Sequence, residues 1–358
     1  MTNNGAHPII RDLQQLDFPV AFEAGLSASL VRPFGLPSVS AVFAKTKQFA
    51  NVDIASKRTA DTACLVIDMS HYPPESERAC AALSRTNYIH QQYQKAGLIK
   101  NDDLLHTLAL LAWLPVRFIQ RWEWRELDEA EIYAVGVYWK SIGDAMSISY
   151  EPMENFGTPG PAKDGIEFME KLRVWSEQYE VDNMKAHPLN AKAVEETEVV
   201  LLYGMTGSFR HIGRKALSAA MDERMRNALM YPKPGLLIYG IVHGYLQLRL
   251  YLTYLALPRT EPHLRSTEQP DTFGRYFRTT WAAQPWYVQP TDKNRNGIKA
   301  WITQLRGLPL PGDAGLKSDG YKAEEIGPKR FEGKGLKEFE EEKALLMASN
   351  RGGCPFAR

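Results

Sequence analysis

The chain has 358 residues, of which 44% are hydrophobic and 24% charged, a balance typical of a soluble globular protein with a sizeable core. Its formal net charge is +1, and basic residues alternate with acidic ones, which argues against a broad nucleic-acid-binding surface. The three cysteines, Cys64, Cys80 and Cys354, form no CxxC motif. Neither a zinc ribbon nor a disulfide framework is therefore expected, and a reducing compartment is the simpler interpretation.

The spacing of apolar residues predicts helices throughout and no run of alternating strands, which indicates an all-α fold. The predicted helices cover residues 24–31, 38–46, 54–69, 75–96, 103–113, 128–148, 166–179, 191–203, 212–230, 236–257 and 336–348. We expect an N-terminal arm over residues 1–24 and one large domain over residues 25–311, with the aromatic-rich part from 270 to 305 packed on its body. Residues 312–358 are expected to form an extended tail with one charged helix.

One apolar stretch, residues 236–257 (LLIYGIVHGYLQLRLYLTYLAL), is long enough to cross a bilayer. It carries His243, Gln247 and Arg249, and a charged side chain in the middle of a span costs at least about 2.5 kcal/mol in lipid. We therefore expect a buried helix here and no transmembrane span. The first 15 residues also lack the pattern of a signal peptide. Peripheral contact with a membrane stays open.

Polar residues cluster in residues 56–97, on helices that otherwise have buried faces. Arg58 and Thr62 lie four residues apart and share a helix face, with Asp61 one step to the side. After a turn at His71-Tyr72-Pro73-Pro74, the next helix carries Arg85 and His90, so the two helices can form an antiparallel pair. Polar groups on buried faces are costly unless they are paired or bind something.

Our interpretation is that this pair holds a haem, with His90 as the axial ligand of the iron. Arg58 and Arg85 would provide cations for the haem carboxylates. Taken alone, a histidine on an apolar helix face such as His90 is more often a hydrogen-bonded core residue than a metal ligand. Arg58 could form an ion pair with Asp61 or Asp68, and the Thr62 hydroxyl could bond its own helix backbone.

The other histidines offer competing sites. His243, in the long apolar stretch, is the strongest rival ligand, and His106 could line the same pocket as His90. His71, His187 and His263 adjoin prolines or loops and are expected at the surface. No nucleotide-binding glycine motif, HExxH or GxSxG is present.

The pattern Arg58-x-x-x-Thr62, followed by Arg85-x-x-x-x-His90 and Tyr93, resembles the family of latex clearing protein (rubber oxygenase) and the MpaB-like oxygenases of fungal biosynthesis. The resemblance covers roughly residues 25–260 and is closer to the MpaB-like branch. Further matching stretches are Phe34-Gly35-Leu36-Pro37-Ser38-Val39-Ser40, Asn101-Asp102-Asp103-Leu104-Leu105, Trp124-Arg125-Glu126-Leu127, Trp139-x-x-x-Gly143 and Leu257-Pro258-Arg259.

The resemblance implies an all-α fold with a globin-like core that holds b-type haem, and His90 matches the proximal iron ligand. Arg58 and Thr62 match polar groups on the opposite side of the haem. Asp61 stands where rubber oxygenase carries a lysine that reaches the iron, so a lysine-capped resting state is not expected here. We therefore assign Arg58, Asp61 and Thr62 to catalysis, and His90, Arg85 and Arg58 to the cofactor.

The implied activity is a haem-dependent oxygenase of secondary metabolism. It would act on a small, apolar, unsaturated terpenoid or polyketide substrate with dioxygen or peroxide, by oxidative cleavage of a carbon–carbon double bond. A redox-neutral cyclase on the same fold and a non-catalytic haem or lipid carrier are the alternatives. We expect a cytoplasmic protein with no nucleic-acid partner, and peripheral attachment to the endoplasmic reticulum is the alternative location. The sequence does not indicate an oligomeric state.

Overall fold

A computed structural model describes residues 1–256 and 259–357. In these ranges the regular structure is helical, apart from two isolated β-bridges, so the predicted all-α class is confirmed. The α-helices in these ranges, α1 to α16 in chain order, are Asn3–Asp12, Pro19–Val31, Pro37–Thr46, Val52–His71, Glu77–Lys95, Asn101–Trp122, Glu129–Ala145, Glu151–Glu154, Gly165–Asn183, Pro188–Leu201, Gly207–Ala220, Glu223–Ala228, Leu236–Leu255, Asp292–Asn296, Ile298–Leu305 and Leu336–Ala348.

The centre of the body is the contact between α2 and α6, where two backbones approach closely. A Cβ atom on Gly25 of α2 would lie 2.4 Å from the Cα of Pro115, so only glycine fits there. The Ser29 hydroxyl donates a 2.8 Å hydrogen bond to the Leu110 carbonyl in the turn before the proline. The prediction that Pro115 ends this helix was wrong, because α6 continues through the proline to Trp122. Packing against α2 compensates for the backbone hydrogen bond that a proline cannot donate.

The first 24 residues, expected to form an arm, contain α1 and the first part of α2. Ala6 and Ile10 of α1 are fully buried in the main hydrophobic core. The Asn3 side chain donates to Ser141 Oγ of α7 over 2.7 Å. The Asn3 backbone N–H bonds the Gly353 carbonyl at 2.8 Å. This segment is therefore part of the core and is joined to residues far along the chain.

Two predictions for residues 212–257 were wrong. The helix expected from 212 to 230 is divided into α11 and α12, because Asp222 adopts an extended conformation and caps α12 by accepting from the Met225 N–H. The stretch expected to be a buried helix forms α13, and none of its residues is buried. Leu257 and Pro258, which belong to one of the matching stretches, lie outside the described residues.

No single helix in the described ranges is long and apolar enough to cross a membrane. Two consecutive segments, Pro19–Gly35 and Pro37–Thr46, are together long and apolar enough by length and composition alone, but the chain bends by 92° between them.

The C-terminal region packs on the body. Trp286 and Tyr287 are buried in the main core, as predicted for residues 270–305, and Tyr321 is buried beside them. The charged helix α16 has the predicted bounds and lies against α5, where Ser84 Oγ donates a 2.7 Å hydrogen bond to the Phe339 carbonyl. Residues after 312 thereby reach the pair of helices that carries His90.

Candidate functional site

Helices α4 and α5 form the predicted antiparallel pair. Asn51 caps α4 by accepting from the Ile54 N–H, and Ser76 caps α5 by accepting from the Ala79 N–H. Near the turn between them, Arg78 and Asp68 form a buried ion pair at 2.8 Å. This pairing fixes the register of the two helices, so residues at the far end of each helix, including Arg58 and His90, are brought near one another.

His90 lies on α5 and is only partly exposed. Its Nδ1 atom is buried and has no hydrogen-bond partner among the described residues. Burial, together with the nearby Arg58 charge, lowers the pKa of His90 to about 4. The imidazole is therefore neutral at pH 7, which is the form that coordinates a metal ion.

Arg58, on α4, carries a guanidinium group that forms no ion pair within the described ranges, although Asp61 and Asp68 are close in sequence. Burial lowers its pKa, while Asp61 and Tyr93 oppose that shift. An uncompensated cation at a partly buried position is costly unless an anion or an oxygen acceptor occupies the space beside it. Neither ion pair considered from the sequence is formed.

Asp61 and Thr62 both have partners within the protein. Asp61 accepts from Lys57 Nζ at 2.8 Å and from the Tyr287 hydroxyl at 2.7 Å. The Thr62 hydroxyl donates to the Arg58 carbonyl at 2.9 Å. It therefore bonds its own helix backbone, which the sequence allowed as the alternative to a role in the site. With its proton engaged, this hydroxyl can only accept a hydrogen bond from a ligand. The charge of Asp61 is balanced without Arg58.

Arg85 lies on α5 and is completely buried. Its guanidinium donates to the backbone carbonyls of Ile326, Phe331 and Lys334, at 2.7, 2.7 and 2.8 Å. These carbonyls belong to residues 326–335, which we call the C-terminal strap. In this structure Arg85 anchors the strap, whereas the sequence assigned it to a haem carboxylate.

The C-terminal strap also contacts other residues of the α4–α5 pair. Lys57 Nζ donates to the Gly327 carbonyl at 3.1 Å. The Phe331 ring makes edge contacts with Tyr93, at 5.6 Å between centroids, and with Tyr88 at 6.3 Å. The strap therefore covers one side of the candidate site. Sequence reasoning missed it, because bonds to backbone carbonyls 240 residues away leave no pattern in the sequence.

His106 belongs to a different polar cluster. It is fully buried on α6, and its Nε2 lies 3.2 Å from a Glu180 carboxylate oxygen. Arg32 makes a two-point ion pair with the same carboxylate and holds the pKa of Glu180 well below its usual range. These contacts account for His106 without a role beside His90.

His243 and His71 also differ from expectation. The His243 ring lies on α13 between Tyr239 and Trp122, with an unpaired and buried Nε2 atom. His71 was expected at the surface but is buried, because Gln15 and His7 pack over it. Burial lowers its pKa to about 3. Within the described ranges, His90 and His243 both carry a buried ring nitrogen without a partner. His90 lies near the unpaired Arg58, whereas Arg249 of α13 is bound to Glu123.

Several stretches that carried the family resemblance join parts of the scaffold. Ser38 Oγ donates to Asp103 at 2.9 Å, which links the first two of the further matching stretches. Arg125 makes a two-point ion pair with Glu131 at 2.7 and 2.8 Å. A Cβ on Gly143 would collide with the Tyr150 hydroxyl at 2.2 Å. These residues serve packing, whereas the unpaired polar groups of His90 and Arg58 lie on α4 and α5.

No protein-family model matches the chain. The ER-bound oxygenase mpaB' of Penicillium brevicompactum is 40% identical over 361 aligned residues, which cover 99% of this chain and 85% of the relative. The ER-bound oxygenase mpaB of the same species is 37% identical over 321 residues, which cover 88% of this chain and 75% of the relative. The chain belongs to the MpaB-like oxygenase family.

A third relative, the ER-bound oxygenase mpaB of Penicillium roqueforti, is 38% identical over 231 residues, which cover 64% of this chain and 77% of the relative. The resemblance to the MpaB-like branch is thereby confirmed, and this MpaB-like protein is an oxidoreductase of the oxygenase type. Its α4–α5 pair, with an unpaired imidazole and an unpaired guanidinium, is the candidate site for that chemistry.

Proposed function

We propose that this MpaB-like protein is a haem b-dependent oxygenase in which His90 binds the iron. The observation that carries the proposal is the neutral, unpaired imidazole of His90 beside the unpaired guanidinium of Arg58. Haem brings most of the ligands of its own iron, so one histidine from the protein would be enough to hold it. Haem, when bound, would supply the binding and activation of dioxygen or peroxide.

The protein's own residues would position and stabilise the reacting groups. Arg58 has free donors for the oxidant, for a substrate oxygen or for a haem carboxylate. Thr62 would accept a hydrogen bond from a proton-bearing group bound beside it, because its own proton is already donated to the helix. Asp61 is held by Lys57 and Tyr287, so in this scheme it balances charge near Arg58.

The substrate we propose is a small apolar compound with a carbon–carbon double bond, of the terpenoid or polyketide type, in secondary metabolism. Oxidative cleavage with dioxygen breaks the double bond and places one oxygen atom on each carbon, giving two carbonyl groups. Both oxygen atoms enter the products, so no external reductant is needed. Membership of the MpaB-like family and the resemblance to rubber oxygenase support this substrate class.

We also propose that the protein works at the surface of the endoplasmic reticulum, facing the cytoplasm. The relatives mpaB' and mpaB are both named ER-bound, and they align with most of this chain. Apolar substrates partition into membranes, which gives an enzyme at the bilayer surface a local supply.

An absorption spectrum of the purified protein tests the cofactor. We expect a Soret band that is lost in His90→Ala and kept in His243→Ala, the matched histidine variant, while both retain their helical circular dichroism. A colourless, folded protein that transforms an unsaturated substrate without consuming oxygen would contradict the oxygenase proposal in favour of a redox-neutral enzyme. Tightly bound haem without any oxygen-dependent product would instead indicate a carrier.

A further inference from the structure

Helix α13 exposes its apolar side chains to solvent. Leu236, Leu248, Tyr251 and Leu255 are all exposed, and Leu236 retains 92% of its accessible surface. Soluble proteins rarely leave an apolar surface of this length uncovered, and larger patches mark protein or membrane contacts.

His243 and Arg249 of α13 face the body, whereas Gln247 is exposed. Arg249 Nη2 donates to Glu123 at 2.6 Å, and its Nη1 donates to the Trp122 carbonyl. The His243 ring contacts the Trp122 ring at 5.5 Å. An ordinary surface helix has an apolar stripe toward the core and polar residues outside, whereas the outer side of α13 is apolar as well. The charge of Arg249, which argued against lipid contact, is neutralised on the inner side of the helix.

Helix α11, which packs on α13, and helix α15, which is linked to the loop before α11, also expose apolar side chains. Helix α11 packs on α13 and exposes Phe209 and Ile212. The loop before α11 receives a hydrogen bond from Arg306, which follows directly after α15. Helix α15 exposes Ile298, Trp301 and Leu305. We call the exposed residues of α11, α13 and α15 the apolar face.

The segments that carry the apolar face have few acidic residues near them. The exceptions include Glu223, which pairs with Lys233 just before α13, and Asp17, which lines a cleft beside Tyr245. Residues 199–221, 224–260 and 293–312 contain no aspartate or glutamate. They do contain exposed basic side chains, among them Lys215, Lys299 and Arg306. Exposed basic side chains in segments that carry an apolar surface are complementary to anionic phospholipid headgroups.

We propose that the apolar face docks on an anionic lipid bilayer, with α13 lying in the plane of the membrane and the basic residues contacting the headgroups. A second copy of the chain fits less well, because a symmetric interface would place these basic, acid-free segments against each other. The inference rests on the membrane location proposed above and is independent of haem. The proposal assigns membrane attachment to the apolar face of the folded domain.

Co-sedimentation of the full chain with vesicles tests the assignment. The face variant carries Leu237→Ser, Leu252→Ser and Trp301→Ser. The control variant carries Leu345→Ser, Val181→Ser and Met347→Ser, which are exposed apolar residues on α9 and α16. Leu237 and Leu345 are matched in exposure, at 75% and 71%. The vesicles are phosphatidylcholine alone, or phosphatidylcholine mixed with phosphatidylserine.

We expect the wild type and the control variant to bind the mixed vesicles, and the face variant to bind at least about tenfold more weakly, since burial of each removed side chain contributes to partitioning. Lys215→Glu with Lys299→Glu should weaken binding to mixed vesicles and leave binding to phosphatidylcholine unchanged.

Wild-type protein that binds neither vesicle would overturn the proposed membrane location itself. Binding by the wild type with equal binding by the face variant would overturn the assignment of the surface alone. A wild-type dimer that ignores vesicles and becomes monomeric in the face variant would overturn the lipid assignment and make the face a contact between copies.

Discussion

Arg58 and His90 come together across the α4–α5 pair, and the charge of the arginine adds to burial in lowering the pKa of the histidine to about 4. The arginine keeps a free guanidinium although Asp61 and Asp68 lie on its own helix, because Lys57 and Arg78 bind those two carboxylates. The Lys57–Asp61 and Arg78–Asp68 ion pairs thus occupy the neighbouring carboxylates. They leave the neutral imidazole of His90 beside a guanidinium without a counterion.

The pKa of His90 predicts a pH dependence of stability in the haem-free protein. The unfolded chain binds this proton near pH 6.5, whereas the folded chain binds it near pH 4, so the contribution of neutral His90 is lost as the pH falls through this range. Between pH 7 and pH 4 the unfolding free energy of the wild type should fall, and that of His90→Gln should fall by about 2 kcal/mol less. Urea unfolding at both pH values measures this difference. The exposed-site variant His211→Gln is the control, and equal losses in wild type and His90→Gln would refute the prediction.

Arg58→Met should separate stability from activity. Removing a cation without a partner should leave the thermal midpoint of the haem-free protein unchanged or higher. Oxygen-dependent turnover should fall by about a hundredfold or more, because a donor to developing negative charge is removed. Calorimetry and oxygen uptake provide the two measurements.

Arg78→Met is the matched control for Arg58→Met, since it breaks the buried pair with Asp68 and should cost about 3–5 kcal/mol of unfolding free energy. A large loss of stability in Arg58→Met, comparable to that in Arg78→Met, would indicate that Arg58 serves the fold.

Arg85→Ala should release the C-terminal strap. The change removes hydrogen bonds to three strap carbonyls and should cost about 3 kcal/mol of unfolding free energy. Trypsin should then cut faster at Lys329 and Arg330. Lys57→Ala removes one strap bond and should have a smaller effect. If haem affinity falls while the strap remains protected from trypsin, Arg85 binds the cofactor, as the sequence suggested.

Asp61→Lys introduces the lysine that rubber oxygenase carries at this position. The variant tests whether that lysine can reach the iron in this protein. The new cation would lie next to Lys57 and near Arg58, and the Tyr287 hydroxyl would lose its acceptor. We expect a less stable protein, by about 3 kcal/mol, with no lysine-ligated iron spectrum. Thr62→Val is the mild control at the adjoining position. A stable variant whose spectrum shows a nitrogen ligand on both faces of the haem would disprove this expectation.

Two glycine substitutions test the close contact between α2 and α6. Gly25→Ala would place a methyl group 2.4 Å from Pro115 Cα, so we expect a loss of about 3 kcal/mol or more. Gly244→Ala, in α13, meets no atom within 4 Å and should raise stability by about 0.5–1 kcal/mol. Thermal unfolding of both variants provides the comparison, and similar midpoints would show that α2 can move away from α6.

The local pattern of the sequence predicted the α4–α5 pair, the position of His90 and the bounds of α16. Polar clusters on apolar helices, with caps and a double-proline turn, make such elements recognisable. The identity of the partners of Asp61 and Asp68 could not be predicted. Tyr287 and Tyr321 reach these carboxylates from more than 220 residues away, and tyrosines carry no signature of such a contact.

Composition also could not distinguish a buried apolar helix from an exposed one. The residues of α13 satisfy the pattern of a core helix, and the same residues suit a surface that faces lipid. Arg249 distinguishes the two cases, because its partner Glu123 lies on the body and the apolar residues are left exposed. Similarly, Pro115 predicts a helix end from local rules, and Gly25 of α2 shows why the helix continues.

The bonds between Asn3 and Gly353, and between Asn4 and Gly352, join residues about 350 positions apart. Helix α1 can complete its packing only when both segments are present, so this part of the core forms late in synthesis on the ribosome. Until then the nascent chain exposes the apolar surface that Ala6 and Ile10 later cover. Contacts of this sequence separation slow folding, and the unfinished chain is exposed to aggregation until they form.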